Sequence, residues 1–162
     1  DPNGPGKPAG PGSYYMRFEA NGVPQDYNIT YAKLRYDADN LAYAGILTGQ
    51  ITPTKNTLTI FLWNKEEYVT GKKYILTNEI LLAETNTISP QISIGHADAA
   101  GKQYAAVVLP STGHPYVDDA ELIFTEITNE HVKGTFSASL YSDIPEREKL
   151  EVTNGEFFMA RN

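Results

Sequence analysis

The chain has 162 residues, enough for one domain with a substantial core, and its hydrophobic content of 41% is typical of a globular protein. Its formal net charge of −7 disfavours nucleic acid as a partner, because phosphate binding needs a basic surface. The absence of cysteine excludes disulfides, thiolate catalysis and cysteine-based metal sites.

The first thirteen residues, DPNGPGKPAGPGS, are dominated by glycine and proline. Nothing in them would anchor a core, and prolines lack the N–H group that a sheet ladder needs. This composition predicts a linker over residues 1–13, followed by a single domain over 14–162.

The first half of the domain consists of short segments separated by turn residues. Apolar and polar residues alternate with period two, which indicates strands with one face in a core and one in water. Asn21-Gly22 is a strong hairpin signal. The predicted strands in this half are 14–20, 23–27, 29–36, 41–51 and 57–63.

The segment 57–63 is the most apolar of these strands. Leu58, Ile60 and Leu62 lie on one face, and the aromatic residues at 61 and 63 lie on the other. Either other parts of the protein cover both faces of this strand, or its aromatic face is exposed to solvent. We expect Trp63 in the core rather than in a ligand groove, because most aromatic side chains form cores.

The middle of the chain carries weaker signals. Residues 64–70 fit one helical turn, and 78–85 fits either a strand or a short helix. The other predicted elements are strands over 74–76, from 92 and over 104–109, a turn over 98–102 and a polar loop over 111–119.

The most regular alternation runs over 131–141 and predicts a half-buried strand. In the strand before it, Ile127 is out of phase, and a bulge near Thr125 or Glu126 would return it to the inner face. Residues 128–130 then form the polar turn of a hairpin.

Two glycines interrupt the pattern of the last third. Gly134 lies on the inner parity, where we expect a close backbone approach or a neighbouring aromatic ring that covers it. Asn154-Gly155 either turns a hairpin or kinks one continuous strand.

Many short strands with turns about every ten residues predict an all-β fold. We predict an antiparallel β-sandwich of about nine or ten strands, with a closed β-barrel as the alternative. No apolar run approaches the roughly 20 residues that a membrane-spanning helix needs.

The last third also carries the pattern V-x-G-T-F-S-x-x-L followed by V-T-x-G-x-F. Its residues are Val132, Gly134, Thr135, Phe136, Ser137, Leu140, Val152, Thr153, Gly155 and Phe157. The pattern resembles an uncharacterised family of secreted lipoproteins of the Bacteroidetes type. The resemblance implies a β-rich, exported domain at the cell surface or in the periplasm, attached to the membrane only through an N-terminal lipid anchor. It implies no particular chemistry.

Signals for catalysis or metal binding are weak. The histidines His96, His114 and His131 form no pair at metal-ligand spacing, so we predict no metal and no other cofactor. Ser111, His114 and Asp118 are the residue types of a nucleophilic triad. No G-x-S-x-G motif accompanies them, and a polar loop is the favoured interpretation.

One acidic segment, Asp37-Ala-Asp39-Asn40, resembles the opening of a calcium loop. The pattern fails at the next position, where Leu41 stands in place of a ligand. A turn capped by the Asp and Asn side chains is therefore favoured.

The remaining functional signal is the aromatic content, eleven tyrosines and one tryptophan. Aromatic platforms with polar neighbours bind sugars by stacking, and Trp63 and Tyr116 are the candidate ligand-binding residues. We expect a non-enzymatic domain that binds a glycan or a protein partner. The alternatives are a small hydrolase with a site near His114 and Asp118, and a structural domain of a surface assembly.

Overall fold

The computed structural model describes residues 14–107, 118–143 and 145–162, and this part of the chain contains thirteen β-strands and no helix. The linker predicted over 1–13 lies outside the described residues. Among those residues, no helix has the length and hydropathy that a membrane span requires. The strands are β1 (Tyr15–Ala20), β2 (Val23–Tyr27), β3 (Ile29–Asp37), β4 (Ala42–Gln50), β5 (Thr57–Asn64), β6 (Lys73–Ile75), β7 (Asn78–Leu82), β8 (Thr87–Pro90), β9 (Ile92–Ala97), β10 (Gln103–Ala106), β11 (Asp119–Ile127), β12 (His131–Ser142) and β13 (Lys149–Ala160).

Eleven strands form one antiparallel sheet in the order β2-β1-β13-β12-β10-β9-β5-β4-β3, with β11 beside β12 and β6 beside β11. The sheet curls until β3 meets the end of β13, where Ala32 and Arg161 form a bridge and the Asn162 N–H donates to the Ala32 carbonyl at 2.8 Å. The all-β antiparallel prediction is confirmed, and the nearly closed sheet corresponds to the barrel alternative. Strands β7 and β8 form a separate hairpin.

The barrel interior is filled by the inward-facing half of each strand. In β5, Leu58, Ile60 and Leu62 are at most 1% exposed, whereas Phe61 between them is 48% exposed. Each buried apolar side chain of this size contributes about 1.5–3 kcal/mol by leaving water. The other buried residues in this core include Met16, Phe18, Tyr27, Leu47, Tyr68, Tyr74, Ile92, Ile94, Leu122, Phe124, Phe136, Phe157 and Met159.

The terminal hairpin has the predicted bulge. The pairing of β11 with β12 shifts register between Phe124 and Glu126, so that the extra residue Thr125 stands between them. Ile127 then packs against the core, as the alternation predicted. The turn over 128–130 connects the two strands.

Aromatic rings cover both glycines of this region. Gly134 lies under the ring of Phe157, and Gly155 lies under the ring of Phe136. The cover expected at Gly134 is confirmed. Strand β13 continues through Asn154, which has a φ of 51° beside a shift in register, so the kinked strand is the observed alternative.

The hairpin between β1 and β2 follows the predicted turn chemistry. Asn21 and Gly22 have φ values of 49° and 81°, which is the left-handed conformation that such two-residue turns require. The segment predicted over 78–85 as a strand or a helix begins with strand β7.

Residues 64–70 contain no helical turn, contrary to the prediction. The Asn64 side-chain amide donates to the Glu66 carbonyl at 2.8 Å, and the Tyr68 hydroxyl donates to the Tyr43 carbonyl at 2.9 Å. These side-chain bonds and the burial of Tyr68 hold the segment in an irregular path.

Candidate ligand-binding face

Strands β3, β4, β5, β9 and β10 are neighbours in the sheet and present one continuous outer surface. Adjacent strands lie about 4.8 Å apart, so paired residues on this surface stand side by side. We call it the groove face. Its principal side chains are those of Lys33, Arg35, Ile46, Phe61 and Trp63, and Gly95 leaves a space where a side chain would otherwise stand.

Register fixes which of these residues are neighbours. Lys33 pairs with Ile46, and Ile46 pairs with Phe61, so these three side chains form one row across the sheet. In the next row, Arg35 pairs with Ala44, and Ala44 pairs with Trp63. Residues far apart in the sequence are thereby brought onto one surface.

Phe61 and Trp63 form an aromatic ridge along β5. They are two residues apart and therefore share a face, with their Cα atoms roughly 6.8 Å apart. Phe61 is 48% exposed and Trp63 is half-buried. The expectation that Trp63 lies in the core is wrong, because the inward positions of β5 are taken by its aliphatic residues.

A shallow trough lies on each side of this ridge. The trough towards β3 has a volume of about 190 Å³ and is floored by Ala44 and Ile46. The trough towards β9 has a volume of about 290 Å³ and is lined by Gly95 and Ala105. Small side chains next to Phe61 create both spaces, and a Cβ added at Gly95 would meet no atom within 4 Å.

Polar groups border the aromatic ridge. The hydroxyls of Thr48 and Thr59 lie 3.2 Å apart across the pair of strands β4 and β5. Gln103 lines the far side of the trough towards β9, and Lys33 and Arg35 line the trough towards β3. Asp143 also lines the trough towards β9. The groove face therefore combines exposed aromatic surface and hydrogen-bonding side chains with two cations towards β3 and a carboxylate towards β9.

A second groove lies on the outer face of the terminal hairpin and has the opposite charge. Its volume is about 390 Å³, and its lining includes the carboxylates of Glu121 and Glu156 together with Thr135 and Ser137. Among the described residues, the only aromatic one that lines it, Phe136, is 4% exposed. It offers no aromatic platform, so we do not select it as the principal site.

The predicted triad is only partly within the described residues. Ser111, His114 and the candidate ligand residue Tyr116 lie outside them. Asp118 is described and has a structural setting: its carboxylate lies 3.2 Å from an Arg147 guanidinium nitrogen and accepts the Val107 N–H at 3.2 Å. Its side chain is 6% exposed, so both oxygens are held in a local ion pair and hydrogen bond.

His96 is buried in the barrel, where its Nδ1 lies 2.7 Å from the Thr57 carbonyl oxygen. This contact requires a proton on Nδ1. Burial lowers the pKa of His96, and the hydrogen bond to Thr57 and the charge of Asp98 oppose that effect. Among the described residues, no group of three or more His, Asp or Glu side chains is arranged to hold a metal ion.

The segment that resembles a calcium loop is a capped turn, as predicted. One carboxylate oxygen of Asp37 accepts the backbone N–H groups of Asp39 at 3.1 Å and Asn40 at 3.3 Å. The other oxygen accepts the Asn40 side-chain amide at 3.1 Å. These bonds, led by the one from the Asn40 side chain, lower the pKa of Asp37.

Sequence reasoning did not select Phe61, Lys33 or Arg35 as site residues. The sequence does contain one signal for them, because alternation places each of these residues on the outward-facing side of its strand. What was missing was the register that aligns Lys33 with Phe61 across β4.

Comparison with known proteins found no matching family model, no matching curated protein and no matching solved structure.

Proposed function

We propose that this domain is a non-enzymatic glycan-binding module of the bacterial cell envelope and that the groove face is its binding site. The observation that carries the proposal is the aromatic ridge, in which Phe61 is 48% exposed beside a half-buried Trp63.

Exposed aromatic rings on the outer surface of a sheet are suited to the apolar faces of sugar rings. A sugar that covers Phe61 removes its apolar surface from water, which contributes about 25 cal/mol per Å². The strands beneath the ridge are locked by the core, so little conformational entropy is lost on binding. The troughs on either side leave room for the sugar units that flank a stacked ring.

Sugars also need partners for their hydroxyl groups, and the groove face supplies them. Thr59, Thr48 and Gln103 carry short hydroxyl and amide groups near the ridge. Apolar contact combined with a few convergent polar groups is the usual composition of a small-molecule site.

The hydrolase alternative has no comparable support. The carboxylate of Asp118, the described member of this site, accepts a hydrogen bond from Arg147 in an ion pair and does not line the groove face. A glycan-binding role needs only the surface chemistry of the ridge.

The envelope location rests on the sequence pattern of the terminal hairpin and on the Pro/Gly composition of residues 1–13. We propose an exported domain held by an N-terminal lipid anchor, with the linker giving it reach. Labelling of the full-length precursor with radioactive palmitate in its host tests this location. Incorporation of label supports the anchor, and an unlabelled cytoplasmic product contradicts it.

Calorimetric titration with neutral and uronate hexasaccharides tests the binding function. We expect at least one of them to bind, and Phe61→Ala to weaken that affinity by about tenfold, the size expected for loss of one aromatic stacking contact. Trp63→Ala should weaken the same binding.

Tyr36→Ala is the matched control, since Tyr36 is 50% exposed but lies on the other parity of β3. Its affinity should equal that of the wild type. The proposal is contradicted if none of the oligosaccharides binds, or if Phe61→Ala binds as tightly as Tyr36→Ala. A protein partner captured through Phe61 without any oligosaccharide binding would likewise contradict it.

A further inference from the structure

We infer that the glycan is anionic and that the groove face selects a uronate oligosaccharide, whose carboxylate meets Lys33 and Arg35. This inference rests on the proposed function and adds the class of ligand.

The charge of the trough towards β3 is opposite to that of the protein. The formal net charge of the chain is −7, yet the described residues that line this trough include two cations and no carboxylate. The groove on the terminal hairpin shows the reverse: the described part of its lining contains Glu121 and Glu156 and no cation. A cationic site on an acidic protein attracts an anion, whereas the negative charge of the rest of the protein repels it.

Lys33 has no carboxylate within 4 Å among the described residues. It is exposed, and it stands in the same row as Ile46 and Phe61. Two strand spacings separate it from Phe61, roughly 10 Å between Cα atoms. The long side chains of lysine and phenylalanine shorten that gap, so one sugar stacked on Phe61 can place a substituent at Lys33.

The ion pair of Arg35 with Asp37 uses only part of its guanidinium group. Its Nη1 lies 3.5 Å from Asp37, and its side chain remains 50% exposed. Asp37 is meanwhile bound by Asn40 and by backbone N–H groups of its turn. A guanidinium has five N–H donors, so Arg35 retains donors for a ligand carboxylate.

Two cations beside an aromatic ridge match a uronate better than a densely charged polymer. A uronate carries one carboxylate on each ring and keeps an apolar face for stacking. The planar guanidinium of Arg35 matches carboxylate geometry. Strong electrostatic binding of a polyanion needs many basic contacts, and the residues that line this trough supply two.

The test compares an α-1,4-linked galacturonate hexasaccharide with the same oligosaccharide after its carboxylates have been reduced to alcohols. The linkage and the stacking faces are unchanged, and only the charge differs. We expect the acidic form to bind about three- to tenfold more tightly at low salt, and this advantage to disappear near 1 M salt, where the Debye length is about 3 Å.

Lys33→Gln should lower the affinity for the acidic form towards that for the reduced form, and the loss should be larger for the acidic form than for the reduced form. Lys73→Gln is the control, because Lys73 is 56% exposed and pairs with Glu121 on the hairpin side. It should behave like the wild type in both titrations.

Equal affinity for the two forms would overturn the inference and leave the proposed function standing. If neither form binds but another neutral hexasaccharide binds through Phe61, the inference is likewise overturned and the proposed function stands. Binding of no oligosaccharide at all would remove the proposed function as well. A sulfated hexasaccharide that binds more tightly than the uronate, and through Lys33, would overturn the assignment of a carboxylate.

Discussion

The ring of Phe157 lies over Gly134, its direct partner across strands β12 and β13. A Cβ built on Gly134 would stand 2.5 Å from the Phe157 ring and 2.3 Å from the Ile123 carbonyl oxygen. The arrangement is repeated two residues further along β12, where Phe136 covers its partner Gly155. Strands β12 and β13 therefore each supply one glycine and one phenylalanine, and both rings fill space that a side chain would otherwise occupy.

Gly134→Ala should destabilise the protein by about 1–3 kcal/mol or more, because a backbone oxygen and a packed ring both block the added methyl group. Gly95→Ala is the matched control in a strand of the same sheet, since a Cβ there meets no atom within 4 Å. Denaturant melts should show a lower midpoint for the first variant and little change for the second. Equal midpoints would contradict the described packing.

Phe136→Ala should cost about 3–5 kcal/mol, because the ring is 4% exposed and its loss leaves a cavity above Gly155. Ser137 is the next residue on the same strand and faces outward, so Ser137→Ala should cost less than about 0.5 kcal/mol. The comparison uses urea denaturation of both variants. A loss of similar size in both would show that the inner and outer faces of β12 are wrongly assigned.

The hydroxyl of Tyr27 is buried and has no hydrogen-bond partner among the described residues. Burial, followed by the charge of Asp98, raises its pKa to about 12. Tyr27→Phe should therefore be neutral or stabilise the fold, because it removes an unsatisfied buried group. Tyr68→Phe removes a hydroxyl that donates to the Tyr43 carbonyl, and it should cost about 0.5–1.5 kcal/mol. Thermal melts showing the opposite order would refute this prediction.

Stability should fall with acidification partly because of His96. Its folded pKa lies below the ordinary value of 6.5, chiefly through burial. Below that value the unfolded chain binds a proton that the folded protein resists, so this contribution is present above about pH 6.5 and is lost as the pH falls towards the folded pKa. His96→Gln should reduce the difference in unfolding free energy between about pH 7.5 and about pH 5.5. An unchanged difference would exclude His96 as its source.

Local features of the fold were predictable because alternation reports directly on burial. The out-of-phase position of Ile127 predicted the bulge that Thr125 forms. Barrel closure was not predictable in this way, since it depends on contact between β3 and the end of β13, where Ala32 meets Arg161. A strand as short as β8, which is not among the strands predicted from the sequence, contains too few residues for a period-two signal to be read.

The candidate site shows the same limit. Alternation placed Phe61 and Trp63 on one face of β5, and the general preference of aromatic side chains for cores then favoured the wrong side for Trp63. The cationic neighbours come from β3, and only the register through Ile46 brings Lys33 to Phe61. Strands β3, β4 and β5 follow one another in the chain, but the register between them depends on their turns and on core packing and is not encoded in the periodicity of any one of them.

Trp63 is the only tryptophan of the chain, so its fluorescence reports directly on the groove face. The decisive measurement is acrylamide quenching of Trp63 with and without saturating galacturonate hexasaccharide. The account predicts intermediate quenching in the free protein, marked protection on binding, and weaker protection in Phe61→Ala at the same ligand concentration. Oligosaccharide binding that leaves the quenching of Trp63 unchanged would contradict the assignment of the groove face as the binding site.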